Sequence, residues 1–155
     1  MSKFPATLID QEINGVVLVK NDVFSENRGY AYTLYNKDDY DIEFVEQKIS
    51  VTKDGWARGL HADDKNFKLI TCVGGIFSLI LLDGRISSST YGKNSQYQLK
   101  YNCGTQVLVP PGVYNGHFSI AGECVLHYAW SYGYEGQETQ KTVSLLDLGV
   151  FSMCL

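Results

Sequence analysis

The chain lacks the features that mark membrane and secreted proteins. The start, residues 1–5, has no apolar run of the signal-peptide kind, and no stretch of about 18 uninterrupted apolar residues occurs anywhere. The four cysteines are widely spaced and form no CxxC pair, which favours reduced structural thiols over a disulfide frame or a zinc knuckle. They are Cys72, Cys103, Cys124 and Cys154. We therefore expect a cytoplasmic protein without a membrane segment.

A strong charge imbalance is also missing. The net charge is -4 and no basic stripe is present, so the field that attracts a nucleic-acid backbone or an anionic membrane is absent. A compact anion needs only a few well-aimed donors, however. Arg28, Arg58 and Lys68 are the candidates for binding such a group.

Helical periodicity and internal repeats are missing as well, apart from a short turn near residues 36–41. The length of 155 residues suits one domain, and we expect residues 1–155 to form it. Apolar residues make up 45% of the chain and charged residues 19%, which is typical of a folded protein with a core.

What the sequence does contain is a series of short runs rich in Val, Ile, Leu, Tyr and Phe, each of which predicts a strand. The Gly74-Gly75 pair between two of them predicts a hairpin turn, and Asp83-Gly84 predicts a similar turn after the next strand. Many short strands at even spacing indicate a sandwich or barrel. The predicted strands are 15–20, 44–52, 68–73, 76–82, 97–101, 106–109 and 124–130.

Two segments resemble the signature motifs of cupins, which are small all-β jelly-roll barrels also described as double-stranded β-helices. The first is GWARGLHAD at residues 55–63, and the second spans residues 104–112. Metal-binding cupins carry four ligands at the matching positions, and here His61 alone is retained. The other three positions hold Asp63, Lys68 and Asn115. Since an ammonium group repels a divalent ion and an amide replaces imidazole poorly, we expect a metal-free pocket without a cofactor.

A more specific resemblance rests on RGLH at residues 58–61, Lys68-Leu69, DGR at 83–85, VPPG at 109–112 and Tyr128. Together these residues resemble the dTDP-4-dehydrorhamnose 3,5-epimerase family. The resemblance begins at about residue 27 and runs to about residue 147, so it covers most of the chain.

The resemblance implies proton abstraction beside the ketone of a nucleotide-linked 4-keto-6-deoxy sugar, in deoxysugar supply for a surface polysaccharide. In this reading His61 is the base, Lys68 stabilises the enolate oxygen, and Tyr128 is the acid on the opposite face. Arg28 and Arg58 bind the diphosphate or hold the substrate nearby. The resemblance also implies a homodimer that pairs through exchanged N-terminal strands within residues 1–30, with residues 18–30 as the candidate segment.

The three residue types suit this chemistry independently of the resemblance. Imidazole titrates near neutrality, so His61 can be unprotonated and still basic enough for general-base catalysis. An ammonium group aimed at a developing oxyanion stabilises charge where it forms. A phenol is a weak acid at neutral pH but can protonate a strongly basic enolate.

Several positions depart from the family pattern. Glu46 and Lys48 stand where the family usually has glutamine and asparagine, and Asn115 stands where a histidine is expected. A change of nucleotide or sugar is therefore open. The predicted substrate-binding residues are Arg28, Arg58, Glu46, Lys48, Asn115 and Tyr134.

The family's C-terminal segment supplies an aspartate that pairs with the histidine, and that carboxylate has no match here. Asp63 or Asp83 could substitute for it. Three alternatives stay open: a nucleotide-sugar 3,4-ketoisomerase, a sugar-nucleotide-binding cupin with impaired catalysis, and a metal-dependent cupin enzyme.

Overall fold

Thirteen strands and one 3₁₀ turn form the described part of the chain, which is residues 7–9, 12–133 and 140–143 of a computed structural model. The strands are β1 (Thr7–Ile9), β2 (Val17–Lys20), β3 (Phe24–Glu26), β4 (Gly29–Ala31), β5 (Glu46–Thr52), β6 (Ala57–Asp63), β7 (Lys68–Gly74), β8 (Ile76–Asp83), β9 (Asn94–Lys100), β10 (Thr105–Val109), β11 (Val113–Ser119), β12 (Cys124–Trp130) and β13 (Gln140–Thr142). The helical turn is Lys37–Asp39. No helix within these residues is long and apolar enough to cross a bilayer.

Two antiparallel sheets form the barrel. One sheet has six strands in the order β1-β2-β10-β7-β12-β5, and the other has five in the order β13-β6-β11-β8-β9. The β3–β4 hairpin forms a separate two-stranded sheet. Sheets facing each other in this way bury the alternate side chains of every strand between them. The all-β prediction is confirmed.

The core lies between the two sheets. On β8 the alternating residues Phe77, Leu79 and Leu81 are fully buried, and Ile70 of β7 and Leu126 of β12 pack against them from the facing sheet. Burying one such side chain contributes roughly 1.5 to 3 kcal/mol. The apolar runs that predicted strands from the sequence therefore supply the side chains that fill the core.

The predicted hairpin at Gly74-Gly75 is wrong. β7 belongs to the six-stranded sheet and β8 to the five-stranded sheet, so the chain crosses between sheets at Gly75. Gly75 has φ +68°, and a Cβ there would collide with the main-chain oxygen of Glu123. The paired glycines are needed for this close crossing, which sequence reasoning cannot distinguish from a turn.

The strand that ends at Asp83 does form a hairpin, with β9, through a ten-residue loop rather than a tight turn. The buried Asp83 carboxylate holds this loop by accepting hydrogen bonds from Arg85, Ser88 and Thr90. These donors hold the pKa of Asp83 well below its ordinary range despite the opposing effect of burial.

The strands β6 and β11 were not predicted. They pair with each other, with a register shift between Asn115 and His117. Gly59 in β6 has φ +113°, and a Cβ there would lie 2.6 Å from the Cα of Gly116 in β11. This close approach breaks the regular alternation, which is why the segment did not read as a strand.

Candidate active site

A cavity of about 520 Å³ opens between the two sheets. Several polar and charged side chains line it, in contrast to the apolar core, and its size lies within the range of small-molecule sites. The lining residues are Lys48, Ile49, Ser50, Arg58, Gly59, His61, Asn115, Gly116, His117, Tyr128 and Trp130. Five predicted site residues thus meet here: His61, Tyr128, Arg58, Lys48 and Asn115.

His61 lies on β6 and is partly buried. Its Nδ1 is 3.1 Å from the Oγ1 of Thr142 on β13, and its main-chain oxygen accepts a hydrogen bond of 2.9 Å from the amide of Asn115. Burial, and then the positive charge of Lys68, lower the pKa of His61 below its usual value. The imidazole is therefore neutral at pH 7, as a general base must be.

Lys68 is the first residue of β7 and is only 5% exposed. Burial lowers its pKa, the carboxylate of Asp63 opposes that shift, and Lys48 adds to it. Its Nζ lies 5.4 Å from the ring centroid of Trp130, a cavity residue. The described residues that line the cavity do not include Lys68, so the ammonium acts on His61 through its charge rather than from the cavity wall.

Tyr128 lies on β12 and reaches the cavity from the sheet opposite to that of His61. Burial raises its pKa well above the ordinary value of a phenol, although Arg58 opposes this. The hydroxyl is therefore protonated near neutrality and available as a proton donor.

Glu46 and Lys48 form an ion pair in which Nζ and Oε1 are 3.3 Å apart. The Lys48 ammonium also lies 4.2 Å from the ring centroid of Trp130, within the range of a cation–π contact. Lys48 lines the cavity beside Tyr128, its partner in the β5–β12 register. The structure thus brings Lys48 to the predicted place, with Glu46 as its neighbour.

The three remaining predicted binding residues have different surroundings. Arg58 lines the cavity and donates from Nε to Thr52 and from Nη2 to the main-chain oxygen of Val51, both at 3.1 Å. Arg28 is 85% exposed in the β3–β4 hairpin, where it pairs with Glu26 at 2.7 Å, outside this cavity. Tyr134 lies outside the described residues.

Neither aspartate proposed as a substitute partner of His61 takes that role. Asp63 accepts hydrogen bonds from Asn66 and from the main-chain nitrogen of Lys65, and Asp83 is committed to its own loop. Within the described residues, the side chain hydrogen-bonded to the imidazole is instead that of Thr142. This contact could not be found from the sequence, because β13 and β6 are far apart along the chain.

Sequence reasoning assigned no role in the site to His117. The side chain is 2% exposed, lines the cavity, and lies with Nε2 2.9 Å from the Oγ1 of Thr52. Burial, with smaller effects of Arg58 and His61, lowers its pKa to about 4. Alternate residues of a strand point to the same face. The prediction that Asn115 lies in the pocket could therefore have indicated that His117 lies there as well.

Within the described part of the chain, no group of three or more His, Cys, Asp or Glu side chains is arranged to hold a metal ion. The cavity presents Arg58 and Lys48 instead, and Lys68 lies nearby. This charge distribution suits an anionic ligand and opposes a divalent cation.

Comparison with known proteins agrees with this geometry. The sequence profile described as dTDP-4-dehydrorhamnose 3,5-epimerase matches residues 10–150. The chain belongs to this family. The predicted family is confirmed, and with it the predicted class of nucleotide-sugar epimerases.

Individual relatives support the assignment. The dTDP-4-dehydrorhamnose 3,5-epimerase of Sinorhizobium fredii is 30% identical over 122 residues, which are 73% of this chain and 63% of that protein. The crystal structure of the epimerase of the same name from Elizabethkingia anophelis superposes with a TM-score of 0.81 at 26% identity, covering 90% of this chain and 80% of the other.

A third relative shares the fold at lower identity. ChmJ from Streptomyces bikiniensis, a 3′-monoepimerase in complex with dTDP-quinovose, has a TM-score of 0.84 at 22% identity and covers 92% of this chain and 76% of its own. The cupin jelly-roll barrel predicted from the sequence is confirmed by these superpositions.

Proposed function

We propose that this protein inverts C3, C5 or both of a nucleotide-linked 4-keto-6-deoxy sugar through an enolate. The observation that carries the proposal is that His61 and Tyr128 reach one cavity from opposite sheets. A base and an acid on opposite sides of a bound ring are what inversion of a carbon centre requires. The ketone acidifies the neighbouring carbons, so each inversion starts with removal of a proton there.

In the proposed reaction, neutral His61 takes the proton from carbon and the electron pair moves to the carbonyl oxygen as an enolate. The ammonium groups of Lys48 and of the buried Lys68 both lie near the ring of Trp130, and they provide positive charge that stabilises the enolate. Tyr128 then returns a proton to the opposite face. The imidazolium and phenolate that result exchange one proton through solvent, which restores the starting state.

Substrate binding follows from the same charges. Arg58 and Lys48 line the cavity and supply positive charge for the diphosphate, and Asn115 fixes the wall by its hydrogen bond to the main chain of His61. Glu46 holds Lys48 in place through their ion pair. Tyr134 remains a predicted substrate-binding residue.

A homodimer completes the proposal. The β3–β4 hairpin is exposed along its length, and Phe24 is 72% exposed on it. Tyr30 of the hairpin stacks on Tyr32 and contacts Tyr101, which also remain partly accessible. A second copy would cover this aromatic surface, and Arg28 at the hairpin tip remains a predicted substrate-binding residue. Light scattering of the wild type and of Phe24→Ser tests this: a wild-type monomer contradicts it.

Proton exchange with solvent tests the reaction. The protein is incubated in deuterated water with a dTDP-linked 4-keto-6-deoxyhexose, and the product is examined by NMR. We expect deuterium and inverted configuration at C3, C5 or both. We propose that the reaction takes place in the cytoplasm and supplies a deoxysugar for a surface polysaccharide. Tyr128→Phe should still exchange the proton on the face of His61 but should lose inversion.

Each other result has a definite meaning. A product with the carbonyl moved to C3 would identify a 3,4-ketoisomerase instead. Binding without any exchange, unchanged by Tyr128→Phe, would identify a sugar-nucleotide-binding cupin. The 3′-monoepimerase name of ChmJ shows that relatives of this fold include single-position enzymes, so the number of deuterated carbons is informative in itself.

A further inference from the structure

The short strand β13 lies beside β6 and presents one residue to His61. Thr142 is the direct partner of His61 in the antiparallel register. Two main-chain hydrogen bonds between Leu60 and Val143, of 2.8 and 2.9 Å, fix the pairing next to it. Since directly opposed side chains of an antiparallel pair lie on the same face, the register itself brings the hydroxyl to the imidazole.

The contact joins the Oγ1 of Thr142 to the Nδ1 of His61 at 3.1 Å, a normal hydrogen-bond distance. A neutral imidazole carries one N–H, and the hydrogen bond made by one ring nitrogen decides which tautomer is present. Because Nδ1 is engaged with Thr142, Nε2 is the nitrogen that His61 offers to the cavity it lines.

We infer that Thr142 is a positioning residue: its hydroxyl accepts the Nδ1–H of His61 and keeps the basic lone pair of Nε2 in the cavity. The inference rests on the proposed function, in which His61 is the base. A carboxylate in this place would orient the ring and also raise its basicity by its charge. A hydroxyl orients the ring and leaves the basicity to the rest of the site.

The rest of the site is mainly cationic. Among the described residues, the ionisable groups around His61 are Arg58 and Asp63 of its own strand, Lys48 of β5, Lys68 of β7, His117 of β11 and Tyr128 of β12. The carboxylate of Asp63 is bonded to Asn66 and to the main chain of Lys65. The Asp63 carboxylate acts on Lys68, whereas burial and the Lys68 ammonium both lower the pKa of His61. The imidazole is therefore a weak base, and we infer that its orientation depends on Thr142.

Nitrogen NMR of the labelled imidazoles tests the inference without any substrate. Above the titration range of His61, the wild type should show the Nδ1–H tautomer. Thr142→Val should shift the tautomer ratio toward Nε2–H, and Thr142→Ser should restore the wild-type signal. Lys141→Ala is the matched control, because Lys141 lies on the same strand as Thr142 and makes a surface ion pair with Asp64. This variant should leave the tautomer ratio of His61 unchanged.

Kinetics supply the second readout. Thr142→Val should lower kcat about 2- to 10-fold, with KM nearly unchanged, since that is the population effect of one neutral hydrogen bond. Thr142→Asp should raise the pKa of His61 and move the acid limb of the pH–rate profile to higher pH. Both shifts would be absent if the residue served only to hold the strand.

A wild-type Nε2–H tautomer, or a Thr142→Val variant with an unchanged tautomer ratio, would overturn the inference. Failure of the proposed function looks different, because it would appear as the absence of solvent exchange into the sugar while the tautomer still responds to Thr142. The two hypotheses therefore succeed or fail on separate measurements.

Discussion

The barrel interior has an apolar half and a polar half, and the same strands build both. On β12, Leu126 is fully buried in the core, whereas Tyr128, two residues on and on the same face, lines the cavity. On β7, Ile70 lies in the core and Lys68 near the cavity. Two residues along a strand are about 7 Å apart. Residues that stabilise the core and residues in or near the cavity are therefore only two positions apart on the same strand.

Burial has opposite effects on the free energy of folding in the two halves. Burial in the apolar half stabilises the barrel at roughly 25 cal/mol per Å² of apolar surface. The polar half works against this, because burial lowers the pKa values of Lys68, His117 and His61 by disfavouring their charged forms. Substitutions in the two halves should accordingly separate activity from stability.

The largest expected effect on activity is that of His61→Asn. Loss of the base should reduce solvent exchange and turnover by about 10²- to 10⁴-fold, with little change in the melting temperature. His127→Asn is the matched control: that imidazole is also buried, but it contacts Gln47 and does not line the cavity. Equal activity losses in the two variants would contradict the proposed base.

Leu126→Ala tests the apolar half. Removing a fully buried side chain should lower the free energy of unfolding by about 2 to 5 kcal/mol, measured by urea denaturation. The folded fraction should keep nearly normal kcat. Tyr128→Phe, on the same face of the same strand, should do the reverse. If both variants affected stability alike, the proposed division along β12 would be incorrect.

The fold could be predicted where a strand is a run rich in aliphatic and aromatic residues, as in β8 and β12. The prediction failed at Gly74-Gly75, because two glycines permit both a tight turn and a close crossing between sheets. It also failed at β6, where Gly59 packs against Gly116 and interrupts the alternation. Close backbone approaches depend on the partner strand, which a single sequence does not specify.

The site was predictable where residues belong to a recognisable motif. His61, Arg58 and Tyr128 meet in the cavity as the motifs imply. Thr142 was not predictable, because its contact with His61 arises from the β13–β6 register across about 80 positions. Long-range register is set by the packing of the whole sheet, and short motifs do not encode it.

Lys68→Met tests whether the ammonium near the Trp130 ring stabilises the enolate and lowers the pKa of His61, as proposed. We expect turnover to fall, because the enolate loses a nearby positive charge, but by less than the roughly 10²- to 10³-fold cost of losing a donor in direct contact with an oxyanion. Removing the charge should also raise the pKa of His61, so the acid limb of the pH–rate profile should move to higher pH. Lys65→Met is the control, because that exposed lysine lies over Tyr132 outside the cavity. An unmoved acid limb would contradict the electrostatic link between Lys68 and His61.

A further effect of the polar half concerns the pH dependence of stability. The pKa of His117 is about 4 in the fold, whereas an unfolded histidine has a pKa of about 6.5. Between these values the unfolded state binds one more proton, so stability should fall as the pH drops from 7 to 4, by about 3 kcal/mol from this group. His61 and His127, whose pKa values are also lowered, act in the same direction.

His117→Asn should flatten this loss, because the variant has no imidazole to protonate on unfolding. Urea denaturation at pH 7, 5.5 and 4.5 measures the slope in the wild type and the variant, and the difference between the slopes isolates His117. The hydrogen bond with Thr52 can be kept by the amide, so stability at pH 7 should change less than the slope does. An unchanged slope would mean that His117 has about the same pKa in the folded and unfolded states. Burial of this imidazole would then lower the stability less than its surroundings indicate.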